Sequence, residues 1–392
     1  MNFGKWTRLL FAAIPLLAGC AGFWDAPTNS NGGTTTTTLS SGNFYILNKG
    51  ATTSQIYGFS VVSGTLTALS GSPYVVTGVA FAIAPDPTGS FLYVSSSAGV
   101  YIYTINSTTG ALTQGAQIAQ DTVALAISVD PGGAWLLEAL GTGVINAIPI
   151  TSTGAFDNGG TRLQQQVVMA GIQVQQMTFA PNHTFLAVAL GTIGTQVFPF
   201  TSSAVSSPIG NALTPTIGTT NTTNTGAAIA VAVDPQSRFL YVGETAAFTT
   251  STTNSGGLRA FSVAASPLAL KELSGSPYAS GGTGPHAIQP NAAGDYVYVA
   301  SWQGSSAGLI TPFQVSSSGS TYSLTAQANT IATGDEPFDL AEDNLGHFML
   351  AVNTGGSPTF NGYVFDTTTV GKLDLTHSDS TTSSPIAIVA AP

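Results

Sequence analysis

Ala84-Pro85-Asp86-Pro87-Thr88-Gly89-Ser90-Phe91-Leu92-Tyr93-Val94 decides the reading of this 392-residue chain. The small and β-branched residues Val79 to Ala84 make a strand suited to burial on both faces. Asp-Pro-Thr-Gly then makes a tight turn. Proline fixes φ, glycine accepts the left-handed position, and the aspartate side chain can cap the turn amides. Phe91-Leu-Tyr-Val94 alternates as a second strand.

The same pattern recurs along the chain. It appears as Val129-Asp-Pro-Gly-Gly-Ala-Trp135, Val233-Asp-Pro-Gln-Ser-Arg-Phe239, Gln289-Pro-Asn-Ala-Ala-Gly-Asp-Tyr296 and Glu342-Asp-Asn-Leu-Gly-His-Phe348. Ala180-Pro-Asn-His-Thr-Phe185 reads as a copy whose turn is two residues shorter. Successive aromatics stand 44 to 57 residues apart, the period of a four-stranded propeller blade. Third strands follow at Val100–Ile105, Val144–Ile150, Leu258–Val263 and Tyr363–Phe365, and fourth strands are expected from Gly110, Gly154 and Gly371. Leu-Ser-Gly-Ser-Pro-Tyr occurs at both Leu69–Tyr74 and Leu273–Tyr278, 204 residues or four blade periods apart.

The chain finishes on Pro385-Ile-Ala-Ile-Val-Ala-Ala-Pro392, an inner strand that breaks off at the turn, and Gly42-Asn-Phe44-Tyr-Ile-Leu supplies the strand that should follow it. Phe44 is expected to provide the seventh aromatic. The prediction is all-β: a seven-bladed β-propeller of four-stranded blades over residues 42–392, its last blade closed by the N- and C-terminal strands.

Composition agrees with many short strands. Glycine contributes 45 residues and proline 21, apolar residues make up 43%, and only 7% are charged, against about 25% in an ordinary soluble protein. With a net charge of −10 and eight scattered Lys and Arg, the chain has no cationic patch able to displace phosphate counterions, which excludes nucleic acid as a partner.

Residues 1–19 read as a signal peptide. Lys5 and Arg8 precede the apolar run Leu9 to Leu17, which is too short to span a bilayer. Leu17-Ala18-Gly19-Cys20 resembles a bacterial lipobox, and Cys20 is the only cysteine, so lipid attachment there is expected and an intrachain disulfide is impossible. Ala21 follows instead of Asp, which points to an exported protein on the outer membrane, facing the periplasm or the cell surface. Residues 20–41, rich in Thr, Ser, Asn and Gly, cannot bury enough apolar area to order themselves and read as a tether.

The Asp-Pro-x-Gly-x-Phe-Leu-Tyr-Val strands and Gly-x-Leu-Thr fourth strands resemble the lactonase-like seven-bladed propellers, which include 6-phosphogluconolactonase; YVTN-type propellers share these strands. The resemblance implies a site at one channel mouth, built from the starts of inner strands. Gly284-Pro285-His286 falls where the family reads roughly Gly-Pro-Arg-His, and Pro337-Phe338 falls where Pro-Arg is common. The remaining inner-strand starts, read as Thr77-Gly-Val, Thr122-Val-Ala, Val174-Gln-Gln176, Gly226-Ala-Ala and Ser384-Pro-Ile, are uncharged. Anionic sugar-acid lactones need cations for the substrate and the developing oxyanion, so the departure argues against 6-phosphogluconolactonase activity itself.

His286, Glu336 and Asp339 are the candidate catalytic residues, since a carboxylate beside an imidazole can serve as a general base on a lactone. Asp335, Gln176 and Trp302 are candidate binding residues at the channel mouth. Glu336, Asp339 and Gln176 have the atom types a Ca²⁺ site uses, but nothing fixes their spacing, and neither metal nor cofactor is assigned. His183, His347 and His377 fall at turns or outer strands and are expected to be exposed. Gly304-Ser-Ser-Ala-Gly308 lacks the strand-to-helix setting of a nucleophile elbow and reads as a loop. Thr219–Thr225 and Ala246–Gly257 read as insertions on long blade loops.

Two functions remain. One is a non-catalytic envelope propeller that binds a protein, glycan or small ligand on its loop-bearing face. The other is a lactone or related ester hydrolase at the channel mouth. The anchor has a direct test: Cys20→Ala should abolish incorporation of radiolabelled palmitate and move the protein from the membrane to the soluble fraction.

Overall fold

The computed structural model describes residues 40–392 apart from 63, 120–122, 158–162, 167–173, 202–203, 206, 217–225, 250–253, 267, 305–306, 319–320 and 392. Cys20, the signal segment, most of the tether and Thr219–Thr225 therefore lie outside the described residues.

The strands form seven antiparallel sheets of four or five strands. Blades 1 to 6 each run in chain order, with inner strands Ala80–Pro85, Ala124–Val129, Gln176–Phe179, Ala228–Val233, Gly284–Pro290 and Pro337–Glu342. Blade 7 takes its inner strand, Pro385–Ala391, from the C-terminal end and its other strands from the N-terminal end. Ser40–Asn48 pairs there with both Pro385–Ala391 and Ser54–Val62. The sheet thus starts two residues before the expected boundary at Gly42. Each inner strand contacts the inner strands of both neighbouring blades, completing the circle.

No single core serves the ring. The buried apolar residues fall into seven clusters, and each cluster is shared by two neighbouring blades. Leu47, Ile56 and Ala391 of blade 7 meet Ile83, Leu92 and Val94 of blade 1, while Phe44 and Ile46 on the same strand meet Phe348 and Leu350 of blade 6. A sheet apolar on both faces needs a partner on each side, and seven sheets in a circle satisfy all of them.

The turn after each inner strand shows why Asp recurs. The Asp86 carboxylate accepts the Phe91 amide at 2.7 Å and the Thr88 amide at 3.1 Å. Asp130, Asp234, Asn291 and Asp343 likewise accept the amide five residues on. Three residues after the capping position the backbone is left-handed in every one of these turns, at Gly89, Gly133, Gly294, Gly346 and the non-glycine Ser237.

His183 is left-handed too, and the Ala180 amide donates to Phe185 O as the Asp86 amide donates to Phe91 O. Ala180 therefore stands where Asp86 stands, and the third turn is not two residues shorter but of equal length, lacking its carboxylate.

The register of blade 7 corrects another expectation. Asn43 pairs with Ala391, five residues beyond Ile386, as Phe91 stands opposite Asp86, five beyond Phe81. The tyrosine two places on confirms the alignment. The hydroxyls of Tyr45, Tyr93 and Tyr298 donate to the carbonyls of Gly110, Gly154 and Gly371 in the next blade, at 2.7, 3.0 and 3.0 Å. Asn43 thus occupies the aromatic position, and Phe44 takes the place of Leu92. Glycine is required on the receiving side: a Cβ on Gly371 would lie 2.1 Å from a ring carbon of Tyr296.

Two loops differ from expectation. Of Ala246–Gly257, the described residues are strand: they lengthen the second and third strands of blade 4 to Phe239–Thr249 and Asn254–Ala265. Arg259 braces the base of this extension, 3.0 Å from buried Glu244 and 2.7 Å from Glu272. Among the described residues the chain just after Gly154 contributes the bridge Ile150↔Phe156, and the fourth strand of blade 2 comes later, at Leu163–Gln166.

Ring closure predicts cooperativity. Truncation before Pro385 should remove the unfolding transition of the whole ring, seen as loss of the thermal midpoint in circular dichroism. A variant that merely melts a few degrees earlier would contradict closure by this strand.

Candidate functional site

The inner strands begin at one mouth of the channel, and nearly all carry the same irregularity there. The pairing between inner and second strand slips by one residue at Phe81, Leu125, Ile229, His286, Phe338 and Ile386. In blade 3, Gln175 is the extra residue, its amide donating at 2.9 Å to Ala189 O while Gln176 is the ladder partner of Ala189. A β-bulge puts two residues opposite one and re-aims a side chain. Here it does so in every blade. All seven bulge residues line one cavity of about 330 Å³.

Five of these side chains are apolar, and Gln175 and His286 are the other two. None carries a fixed charge. The positions lie three or four residues beyond the starts assigned from sequence in blades 1, 2 and 4, although the uncharged character expected there holds. Lys49 reaches the rim, its ammonium 5.6 Å from the ring centroid of Phe81.

His286 stacks on Phe338, with ring centroids 5.6 Å apart and planes at 20°. Burial lowers the imidazole below its ordinary pKa, against a smaller upward pull from the charge of Glu336. The ring is therefore neutral at neutral pH. His286 and Phe338 also line a second cavity of about 190 Å³, together with Trp302, Glu336 and Thr354. Glu336 holds a left-handed backbone, φ 50°, and Thr354 donates its amide to the Glu336 carbonyl at 2.9 Å and its hydroxyl to the carboxylate at 3.3 Å.

Asp339 and Gln176 also line the larger cavity, but their oxygens are engaged elsewhere. Asp339 accepts the amides of Leu340 and, from the next blade, Ile388, both at 2.9 Å. Gln176 accepts the amide of Val231, again from the next blade, at 2.8 Å. Both side chains fasten one inner strand to the next. No hydrogen bond or ion pair joins His286 to Glu336 or Asp339 among the described residues, so the three meet in one region without forming a dyad. Asp335 lines neither cavity, and its carbonyl accepts the Gly355 amide at 3.1 Å.

No group of three or more His, Cys, Asp or Glu is placed to hold a metal among the described residues. His183 is exposed at its turn as expected, whereas His347 and His377 are half-buried. His377 stacks on Phe360 at 5.7 Å. Gly304–Gly308 lies between the second and third strands of blade 5, with Ser305 and Ser306 outside the described residues.

Residues 45–390 match the family described as lactonase, 7-bladed beta-propeller. The chain belongs to this family. No curated protein matches the sequence. Among solved structures, a candidate 6-phosphogluconolactonase of Bacteroides uniformis is 17% identical and superposes with a TM-score of 0.68 over 89% of this chain and 99% of its own. The periplasmic gluconolactonase of Pseudomonas aeruginosa is 15% identical, with a TM-score of 0.60 over 90% and 99% of the two chains. Hydrazine synthase of Kuenenia stuttgartiensis reaches 0.55 at 16% identity, over 79% and 91%. At these identities the likeness is one of fold, and this lactonase-family member must be read from its own mouth residues.

Burial pushes the Asp339 carboxyl up to about 7, against the pull of its two amide donors. An acid raised on folding holds its proton more tightly when folded, so its contribution to stability falls as pH climbs from the unfolded value near 4 through 7. Wild type should therefore lose more thermal stability than Asp339→Asn between pH 4 and pH 8. Parallel midpoint-versus-pH curves for the two proteins would overturn this assignment.

Proposed function

We propose that this lactonase-family chain is an exported, membrane-tethered propeller that binds a small organic ligand at the His286 mouth and does not hydrolyse sugar-acid lactones. One observation carries the reading: seven bulge residues aimed into the mouth include no fixed charge. Hydrolysis of an anionic lactone demands cationic or strongly donating groups where the oxyanion forms. The Asp339 carboxylate, which could have oriented a base, is committed to two backbone amides. Five apolar side chains with a few polar groups among them are the usual lining of a binding cavity. The lipobox at Cys20 supports placing the ring at the cell envelope, held by a lipid at the end of a Thr-rich tether.

The alternative, hydrolysis of a neutral lactone or ester, draws support from the neutral imidazole of His286 and from Lys49 at the rim. A neutral imidazole can accept the proton of an attacking water.

A panel of neutral and acidic lactones separates the two. Release of hydroxy acid should stay at the uncatalysed rate with both wild type and His286→Ala. Turnover by wild type that His286→Ala abolishes would establish the alternative. Binding at the mouth is followed with the neutral dye Nile red, whose fluorescence gain should be reduced in Phe338→Ser.

A further inference from the structure

We infer that the smaller cavity takes the ammonium group of an organic cation, with the rest of that molecule lying in the larger, apolar one; the inference rests on ligand binding at the mouth. Three aromatic rings wall the smaller cavity, those of Trp302, Phe338 and His286. An aromatic face attracts a cation through its quadrupole, and tryptophan does so most strongly. Phe338 remains 40% exposed although it is stacked on His286, so part of its ring is available.

The same cavity includes a carboxylate with no cationic partner. No Lys or Arg pairs with Glu336 among the described residues; its contacts are the hydroxyl of Thr354 and the long-range attraction it exerts on the His286 ring. Its left-handed backbone, φ 50°, is a conformation that a non-glycine residue rarely adopts. Burial keeps His286 neutral, so the wall between the two cavities does not repel a cation. The net charge of −10 attracts one from a distance.

The indole Nε1 of Trp302 is enclosed, and among the described residues no acceptor meets it, a costly arrangement for a donor. The two cavities share His286 and Phe338, so one molecule can place its ammonium beside Glu336 and an apolar body among the bulge side chains. An anionic lactone has the opposite charge pattern.

Choline and its uncharged isostere 3,3-dimethyl-1-butanol have the same shape and the same hydroxyl, so calorimetric titration with the pair isolates the charge. Choline should bind wild type about tenfold more tightly than the alcohol. Glu336→Gln should reduce that preference while leaving affinity for the alcohol unchanged, and Trp302→Leu should weaken both. If the alcohol binds as well as choline, or if neither binds while Nile red still reports the mouth, the cation assignment falls and mouth binding stands. Loss of the Nile red signal from wild type would instead remove the reading on which the assignment rests.

Discussion

The structure depends on one pairing between chain ends: Asn43 to Asn48 laid against Pro385 to Ala391. Each blade buries apolar residues on two faces, and only a neighbour on each side can cover them. An open arc of sheets would leave two large apolar faces in water, at about 25 cal/mol for each Å². The closing pair turns that arc into a circle. It joins segments more than 330 residues apart, so its loop-closure cost is large and falls on a single event. The tyrosine hydroxyls reaching glycine carbonyls in the next blade then fix the spacing between sheets, each worth about 1 kcal/mol net.

Much of this was legible in the sequence. Asp-Pro-x-Gly before an aromatic strand has a physical cause, the capping of turn amides, and that cause acts at Asp86, Asp130, Asp234 and Asp343. Closure was legible because Pro385–Pro392 is half of a repeat and Gly42–Leu47 is the other half. Register was harder. Phe44 is the nearest aromatic to the expected position, yet Asn43 occupies it, since register follows the ladder and the Tyr45 hydroxyl, not the ring that happens to be nearby. At Ala180 a missing aspartate hid a turn of ordinary length.

The site was legible only in part. His286 stood out as a rare histidine at an inner-strand start, and Glu336 and Trp302, also read from sequence, line the smaller cavity with it. Phe81, Leu125, Gln175, Ile229 and Ile386 were missed as channel residues. A bulge is an event between two strands, and no residue type announces it; an apolar run with one extra residue looks like any buried strand. The contacts of Asp339 were hidden for a related reason. Its role depends on an amide of the next blade, 49 residues on.

The bulges have a consequence for how such a ring can change. A bulge residue is surplus to the hydrogen-bonded ladder, and its side chain lines the channel; Ile386 alone of the seven also packs against an apolar cluster between blades. Exchanging any of the others alters what the mouth recognises while leaving the interface clusters and the turn caps untouched. The six positions other than Ile386 are thus partly independent dials, one per blade, and drift at any of them carries little penalty in folding. Relatives can then retain one scaffold at 15 to 17% identity while their mouths diverge, with recognition inherited separately from architecture.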